Sequence, residues 1–390
     1  MAAEPGGNSF DVVVIGSGPA GRGATIAASR AGATVLFLSD RPLSPEDGVP
    51  PSGRGWVTVR GETRVWGLFP DRSVAATRAS ATWTVRPKTV ILATGAMDRP
   101  CPVPGWHLPG TLTMAETHRA LASGELPPGT RVAIVSTVLD EDLVLDLDVR
   151  LRQARVTVVA DVVPDGVEVV GPERVTALRV NGETIPCDRV ILDGGRQARF
   201  GLAQMAGCDV RSGPGGFVPA VDRDGRTTVA GLFVAGDAAG PCPEEVASRE
   251  GRLAGLVAAG AGAGPVEEER AALTRLDPAR ERAAIAALPG VPIAPGTVLC
   301  RCEGIVTAEV DAAIGAGATS VNDVKRRTRA GMGACQGSLC VPLMAERLAA
   351  GVGGAGALAE IGPMTARPPV LPITVAELAR LDPRSSPTPG

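Results

Sequence analysis

The sequence predicts an α/β chain built on two nucleotide-binding-type βαβ units, with a small helical module behind them. Three observations carry this. Asp11-Val-Val-Val-Ile-Gly16-Ser-Gly18-Pro-Ala-Gly21-Arg-Gly23 is a β-branched apolar run that turns through Gly-x-Gly-x-x-Gly into a small-residue segment, Ala24–Ala28. Arg131–Val135 opens a second strand–helix–strand layout that closes at Arg155–Val159. Four of the eight cysteines fall between residues 300 and 340, as Cys300-Arg-Cys302 and Cys335-Gln-Gly-Ser-Leu-Cys340.

The bulk numbers bound the possibilities. A chain of 390 residues implies two or three domains with substantial cores. Net charge is −3 and Lys and Arg are not clustered, which argues against a nucleic-acid partner. No apolar run approaches the ~18 residues needed to span a bilayer. The N-terminus has neither a basic region nor an apolar core, so it does not read as a signal peptide and a cytoplasmic location is expected. Eight cysteines are too sparse for a disulfide scaffold, and their clustering points instead to metal.

In the first unit, Gly16 permits the turn and Gly18 lets the backbone approach a pyrophosphate. Gly21 allows the helix to pack on the strand, and Pro19 and Ala20 complete its first turn. The helix N-terminus offers free N–H groups and its dipole to the phosphates. The run Ala33–Leu38 ends at Ser39-Asp40, and Asp40 stands where such units place the acid that binds the adenine ribose. A turn-rich loop at 41–55 follows. Trp56–Arg60, Thr63–Phe69 and Ala81–Val85 alternate as an antiparallel meander. Thr89–Gly95 is another buried strand, ending at the turn Ala93-Thr94-Gly95, and a helix is expected over Met114–Ser123.

The second unit lacks the phosphate-binding turn. Where Gly-x-Gly belongs, the chain has Ser136-Thr-Val-Leu-Asp140-Glu-Asp142, whose carboxylates would repel a pyrophosphate. The layout of a second nucleotide domain survives without its chemistry. Short strands run from Gly166 to Asp193. Gly231-Leu-Phe-Val-Ala-Gly236-Asp237 repeats the strand-into-glycine theme and feeds a helix from Glu244 to Ala259. Residues 260–296 form a connector with helical patches at Glu267–Leu276 and Ala279–Leu288, ending at a Pro/Gly boundary, 289–296. The tail is Pro-rich, then helical at Thr374-Val-Ala-Glu377, a capping-box spacing.

Cys300, Cys302, Cys335 and Cys340 offer four thiolates in two close pairs, which suit a [2Fe-2S] cluster or a structural Zn²⁺. Helices are expected near Ala308–Gly315, Val321–Arg326 and Val341–Ala350, and Lys325, Arg326, Arg327 and Arg329 add positive charge that would raise a cluster's potential. Cys101, Cys187, Cys208 and Cys242 read as core residues. Trp56, Trp66, Trp83 and Trp106 read as core or domain-edge packing, and His107 and His118 as structural. There is no site for substrate amine chemistry, and no catalytic residue is assigned.

Gly16–Gly23, Leu92-Ala93-Thr94-Gly95 and Gly231–Asp237 together resemble the two-dinucleotide-domain flavoprotein superfamily, in which an inserted second domain splits the FAD domain. The resemblance implies that Asp237 bonds the ribityl chain and that Ala93, Thr94, Gly95 and Gly236 line the flavin site. Leu92–Pro100 through Pro104–Gly110, with Arg327–Gly337, is more specific. It is similar to the FAD/iron–sulfur subunit of multi-subunit amine and amino-acid oxidoreductases: hydrogen cyanide synthase, opine oxidase, hydroxyproline and proline dehydrogenases, and heterotetrameric sarcosine oxidase. The cysteine spacing is similar to the bacterioferritin-associated-ferredoxin-like [2Fe-2S] module. Family members carry a longer segment where this chain has loop 41–55, so the surviving fingerprint accommodates the ADP moiety of FAD or of ATP alike.

The resemblance implies an electron-transfer subunit beside an FAD-containing, substrate-oxidising β subunit. It leaves open FMN at a partner interface, a small ferredoxin-like subunit, and membrane association made through partners. A stand-alone NADH-dependent flavin reductase and a scaffold holding a nucleotide and structural metal are the competing readings. The expected division is an FAD or adenine-nucleotide domain at 8–110 and 214–263, an NAD-domain-like insertion at 111–213, and a linker at 264–296. The [2Fe-2S] module at 297–352 and a tail at 353–390 complete it.

Overall fold

The computed structural model describes residues 10–43, 56–79, 81–137, 141–213, 215–278, 293–353 and 357–381. The chain forms two compact units, one of Met1–Ala96, Ala198–Ala284 and Thr365–Gly390, the other of Met97–Gln197 and Ile285–Met364.

The first unit is built on a parallel sheet. Val12–Ile15 (β1) leads through the glycine turn into the helix Pro19–Arg30 (α1) and on to Val35–Leu38 (β2). Val57–Arg60 (β3) pairs parallel to β2 at the sheet edge. Beyond an antiparallel trio, Thr63–Leu68 (β4), Val74–Arg78 (β5) and Ala81–Val85 (β6), the chain returns as Thr89–Leu92 (β7) against the other side of β1. Leu232–Val234 (β8) completes the order β8-β7-β1-β2-β3. Every side chain of β1 and β2 is buried, as a parallel strand covered on both faces requires, and each large one contributes about 1.5–3 kcal/mol. Asp11 pins the strand ends. Its carboxylate accepts from the Thr34 N–H and hydroxyl, each at 2.8 Å, and pairs with Lys88 at 2.7 Å, which holds its carboxyl at about 2.

Two helices cover one face. Alanines of α1 (Ala20, Ala24, Ala28) pack against Ala247, Leu253 and Ala254 of the helix Glu244–Ala258 (α2). The crossing is at backbone contact. A Cβ on Gly251 would lie 2.0 Å from the Ala20 carbonyl oxygen, and one on Gly255 2.4 Å from that of Ala24. The helix Ala263–Leu276 (α3) then lays Val266 and Leu273 into the same core.

The second unit holds a four-stranded parallel sheet, in order Thr157–Val162, Arg131–Ser136, Arg189–Asp193, Thr111–Thr113, with helices Met114–Ser123 and Glu141–Gln153. An antiparallel trio, Val167–Val170, Ala177–Val180 and Glu183–Pro186, packs beside it. The same unit contains the hairpin Val298–Cys300/Ile305–Val306 and the helices Thr307–Gly315, Val321–Thr328 and Cys340–Val352. Among the described residues no helix is long and apolar enough to cross a membrane.

The α/β fold with a split first domain is as expected, and several details differ. Trp56–Arg60 does not belong to the meander: β3 extends the parallel sheet, and Trp56 is 80% exposed. The meander's middle strand is instead Val74-Ala-Ala-Thr-Arg78, whose buried alanines give no alternating signal. The compact units divide at 96/97 and 197/198, against the expected 110/111 and 213/214. The reason is burial: Cys101, Val103 and Trp106 share a core with Val135 and Val190, while Leu202, Ala206 and Cys208 share one with β1 and β7. The segment 264–296 begins with α3, packed rather than linking, and the helical patch at 279–288 lies outside the described residues. Residues 365–381 fold into the first unit: the Val370 N–H donates to the Trp66 carbonyl, Arg64 pairs with Glu377, and Thr374 and Glu377 form the capping box.

The helix crossing generates a test. Alanine is the better helix former by about 1 kcal/mol, yet Gly251→Ala drives a methyl into the Ala20 carbonyl and should destabilise by about 1–3 kcal/mol. Gly264→Ala, on α3 with open space around it, should be neutral or stabilise by up to about 1 kcal/mol. Urea unfolding of both variants checks the pair.

Candidate functional sites

The candidate nucleotide site lies where β1 ends. Gly16 has φ of 112°, and a Cβ there would sit 2.0 Å from the Ala93 carbonyl oxygen; one on Gly21 would sit 1.7 Å from that of Gly16. Side chains are therefore excluded from the inner side of the turn. Gly18, the N-cap of α1, has nothing within 4 Å of where its Cβ would be, and no side chain caps the helix. Open space thus faces uncapped N–H groups and the positive end of a 12-residue helix with Pro19 in its first turn, which fits a pyrophosphate.

Around this turn, Ser39 is buried directly after β2 and shares a 2.8 Å hydrogen bond with Ser17, while Asp40 beyond it is exposed. Thr94 Oγ1 donates to the Arg199 carbonyl at 3.0 Å, and the Gly95 carbonyl accepts from the Arg199 N–H at 3.1 Å. Ala93 lies against the glycine turn. Gly236 opens a short 3-10 turn, where its N–H donates to Glu250 at 2.9 Å, and Asp237 Oδ1 accepts the Cys242 N–H at 3.0 Å. All the expected nucleotide-binding residues belong to the first unit. Sequence reasoning does not single out Ser17 and Ser39; the available signal is a hydroxyl between the first two glycines of the turn and another at the first position past β2.

In the second unit the position corresponding to that turn is built differently. Asp193, 2% exposed at the end of its strand, accepts from Ser136 Oγ at 3.1 Å and the Gly195 N–H at 2.9 Å. Residues 138–140, and the side chains of 141–146, lie outside what the structure describes.

The cysteine site is also in the second unit. Cys300 ends a hairpin strand, Cys302 sits on the turn, Cys335 lies in the loop before the last helix, and Cys340 is that helix's first residue. Cys300 and Cys340 are buried and Cys302 is exposed. The thiols lie as two adjacent pairs, Cys300 beside Cys340 and Cys302 beside Cys335. The Cys340 thiol and the N–H groups of Gly331, Glu303 and Cys302 hold Cys300 down at about 5, while the same pairing and burial push Cys340 up. The Cys300 sulfur is therefore already surrounded by donors suited to a thiolate. Gly333 leaves the space: a Cβ there would lie 2.2 Å from the Cys302 Cβ. Together the two pairs supply four thiolates, the number a [2Fe-2S] cluster takes.

Three of the four expected basic residues are ion-paired, Arg326 and Arg327 with Asp323 and Arg329 with Glu303 in the cysteine loop itself, while Lys325 Nζ lies 3.5 Å from Met364 Sδ. Arg301, between Cys300 and Cys302 in the sequence, stacks its guanidinium 5.2 Å from the centre of the Trp106 ring. Cys101, Cys187, Cys208 and Cys242 are buried, as expected, and burial pushes the Cys101 thiol up to about 12.

Comparison with known proteins bears on both parts of the chain. The family model for pyridine nucleotide-disulphide oxidoreductases matches residues 10–136 and 133–260, and that for the BFD-like [2Fe-2S] binding domain matches residues 298–350. A component of the opine oxidase of Agrobacterium tumefaciens is 30% identical over 95% of this chain and 92% of its own length. The alpha chain of sarcosine oxidase from a Corynebacterium species is 28% identical over 54% of this chain and 26% of its own. The crystal structure of L-proline dehydrogenase from P. horikoshii superposes with a TM-score of 0.80 at 25% identity, covering 96% of this chain and 80% of that one.

Gly18→Glu should abolish co-purification of adenine nucleotide, since a side chain and a negative charge would occupy the open space at the helix N-terminus. Release by acid and quantification of adenine per chain checks this; stoichiometric nucleotide would show that the site is elsewhere.

Proposed function

We propose, from the premise that this chain belongs to the pyridine nucleotide-disulphide oxidoreductase family, together with its opine oxidase relative, as an oxidoreductase subunit with FAD-binding and [2Fe-2S]-binding domains, that it is the electron-transfer subunit of a hetero-oligomeric amine or amino-acid dehydrogenase or oxidase. A partner subunit carries out the oxidation of substrate, an amino acid of the sarcosine, proline, hydroxyproline, opine or glycine type. The observation that carries this reading is the pairing, in one chain, of an open glycine turn at a helix N-terminus with four cysteines brought together in two pairs.

The residues divide the work. Gly16, Gly18 and Gly21, with Pro19 and Ala20, keep the turn narrow and direct the α1 N–H groups at the pyrophosphate. Asp40 and the Ser17–Ser39 pair are placed for the adenine ribose. Ala93, Thr94 and Gly95 close one side of the crevice, and Gly236 and Asp237 lie at the end of β8. The thiolates of Cys300, Cys302, Cys335 and Cys340 hold the metal, with backbone N–H groups around Cys300 stabilising negative charge. When bound, flavin accepts an electron pair and the iron–sulfur centre handles single electrons. NADH is not the donor in this reading, because the acidic run Asp140–Asp142 stands where a glycine turn belongs.

Two outcomes test the proposal. Cys335→Ser should eliminate the visible iron–sulfur absorption and the EPR signal of the reduced protein while the first unit keeps its nucleotide. Substrate should still reduce the partner's flavin once, and steady-state turnover should fall at least about tenfold, the size of a lost metal ligand's effect. Full turnover in a cluster-free variant would make the module structural. Separately, NADH mixed with the intact complex should leave the flavin spectrum unbleached in stopped flow; bleaching within one turnover would favour a stand-alone reductase.

A further inference from the structure

Two buried side chains from the NAD-domain-like part of the second unit reach the two cysteine loops. Trp106 is 2% exposed, and its indole N–H donates to the carbonyl of Val298, two residues before Cys300. Its ring carries the guanidinium of Arg301, between Cys300 and Cys302, at 5.2 Å. Gln197, 6% exposed, donates from Nε2 to the carbonyl of Ser338 at 2.9 Å, inside the Cys335–Cys340 loop. Arg99 adds an ion pair to Glu346, on the helix that Cys340 begins. Each thiol pair draws one cysteine from each loop, so the relative position of the loops sets the geometry of the site.

We propose that the second nucleotide-type domain, having lost its phosphate turn, serves as a clamp on the iron–sulfur site: Trp106 and Gln197 are positioning residues that fix the spacing of the two cysteine loops, and Trp106 also seats the Arg301 charge that sets the centre's potential. The proposal rests on the cluster reading above. A cation held beside the centre stabilises its reduced form, which carries one more negative charge, and so raises the midpoint. An arginine free in solvent would be screened and would contribute little. The Trp106 stack gives Arg301 a fixed place, and cation–π contact contributes about 0.5–2 kcal/mol to holding it there.

The test uses the intact complex. Iron and sulfide analysis of the parent protein decides whether the cluster is present and is independent of the clamp. EPR-monitored redox titration then reads the midpoint. Arg301→Gln should lower it by a roughly tenfold change in the reduction equilibrium, about 59 mV for one electron. Trp106→Leu should lower it to a similar degree, and Arg301→Gln combined with Trp106→Leu no further than either alone. Trp106→Phe, which keeps a ring but loses the N–H, should lower it less, and it decides the matter with Arg301→Gln if Trp106→Leu does not fold. Gln197→Leu should speed cluster loss to a chelator by roughly tenfold. Unchanged midpoints in Arg301→Gln and Trp106→Phe, or additive lowering in the double variant, overturn the seating of Arg301. An unchanged rate of cluster loss in Gln197→Leu overturns the clamp.

Discussion

The first unit depends on backbone approaching backbone with no Cβ in between. Gly16 lies against Ala93, Gly21 against Gly16, Gly251 against Ala20 and Gly255 against Ala24, each closer than any side chain would allow. These contacts bring the end of β1, the start of α1 and one face of α2 into a single rigid corner. The phosphate turn is one wall of that corner, so its geometry is inherited from the packing of two helices. Gly18 is the exception: it alone among the turn's three fingerprint glycines opens onto empty space, the room the proposed nucleotide needs.

The cysteine site uses the same economy of side chains for a different end. Gly333 lets the hairpin bearing Cys302 meet the loop bearing Cys335, and Gly331 and Gly337 take positive φ values there that suit glycine. Around Cys300 the donors are backbone N–H groups, of Gly331, Glu303 and Cys302. Three of the basic residues that look closest in the sequence, Arg326, Arg327 and Arg329, are paired with Asp323 or Glu303. Local electrostatics therefore follows from which charges are already partnered.

Much of this is legible in the sequence, for identifiable reasons. Gly16-x-Gly18-x-x-Gly21 carries its own strand and helix, and the helix Met114–Ser123 lies between a capping box and a C-cap glycine. The [2Fe-2S] binding domain shows by the spacing of its cysteines. Less visible is whatever depends on partners distant in the chain. Val74–Arg78 escapes a sequence reading because its alanines give neither alternation nor β-branching, and Trp56–Arg60 falls into the wrong sheet because alternation does not say which strand it pairs with. Ser39 hides beside Asp40 because only the structure shows which of two adjacent residues turns inward. Trp106, Arg301 and Gln197 carry no motif at all; their meaning lies in contacts across 141 to 195 residues of chain.

The C-terminal segment has a consequence for the order of assembly. Thr82 on β6 donates its hydroxyl to the carbonyl of Glu377, 295 residues away, and bridges to Leu381. The edge of the sheet formed first on the ribosome is thus completed by a segment that emerges some 300 residues later. Until that segment is made, the edge offers unpaired strand to other chains, and the nascent polypeptide carries a long-range closure of high contact order. A truncated message would therefore leave the amino-terminal domain unfinished, and the quality-control machinery would meet an exposed β edge rather than a merely shortened tail.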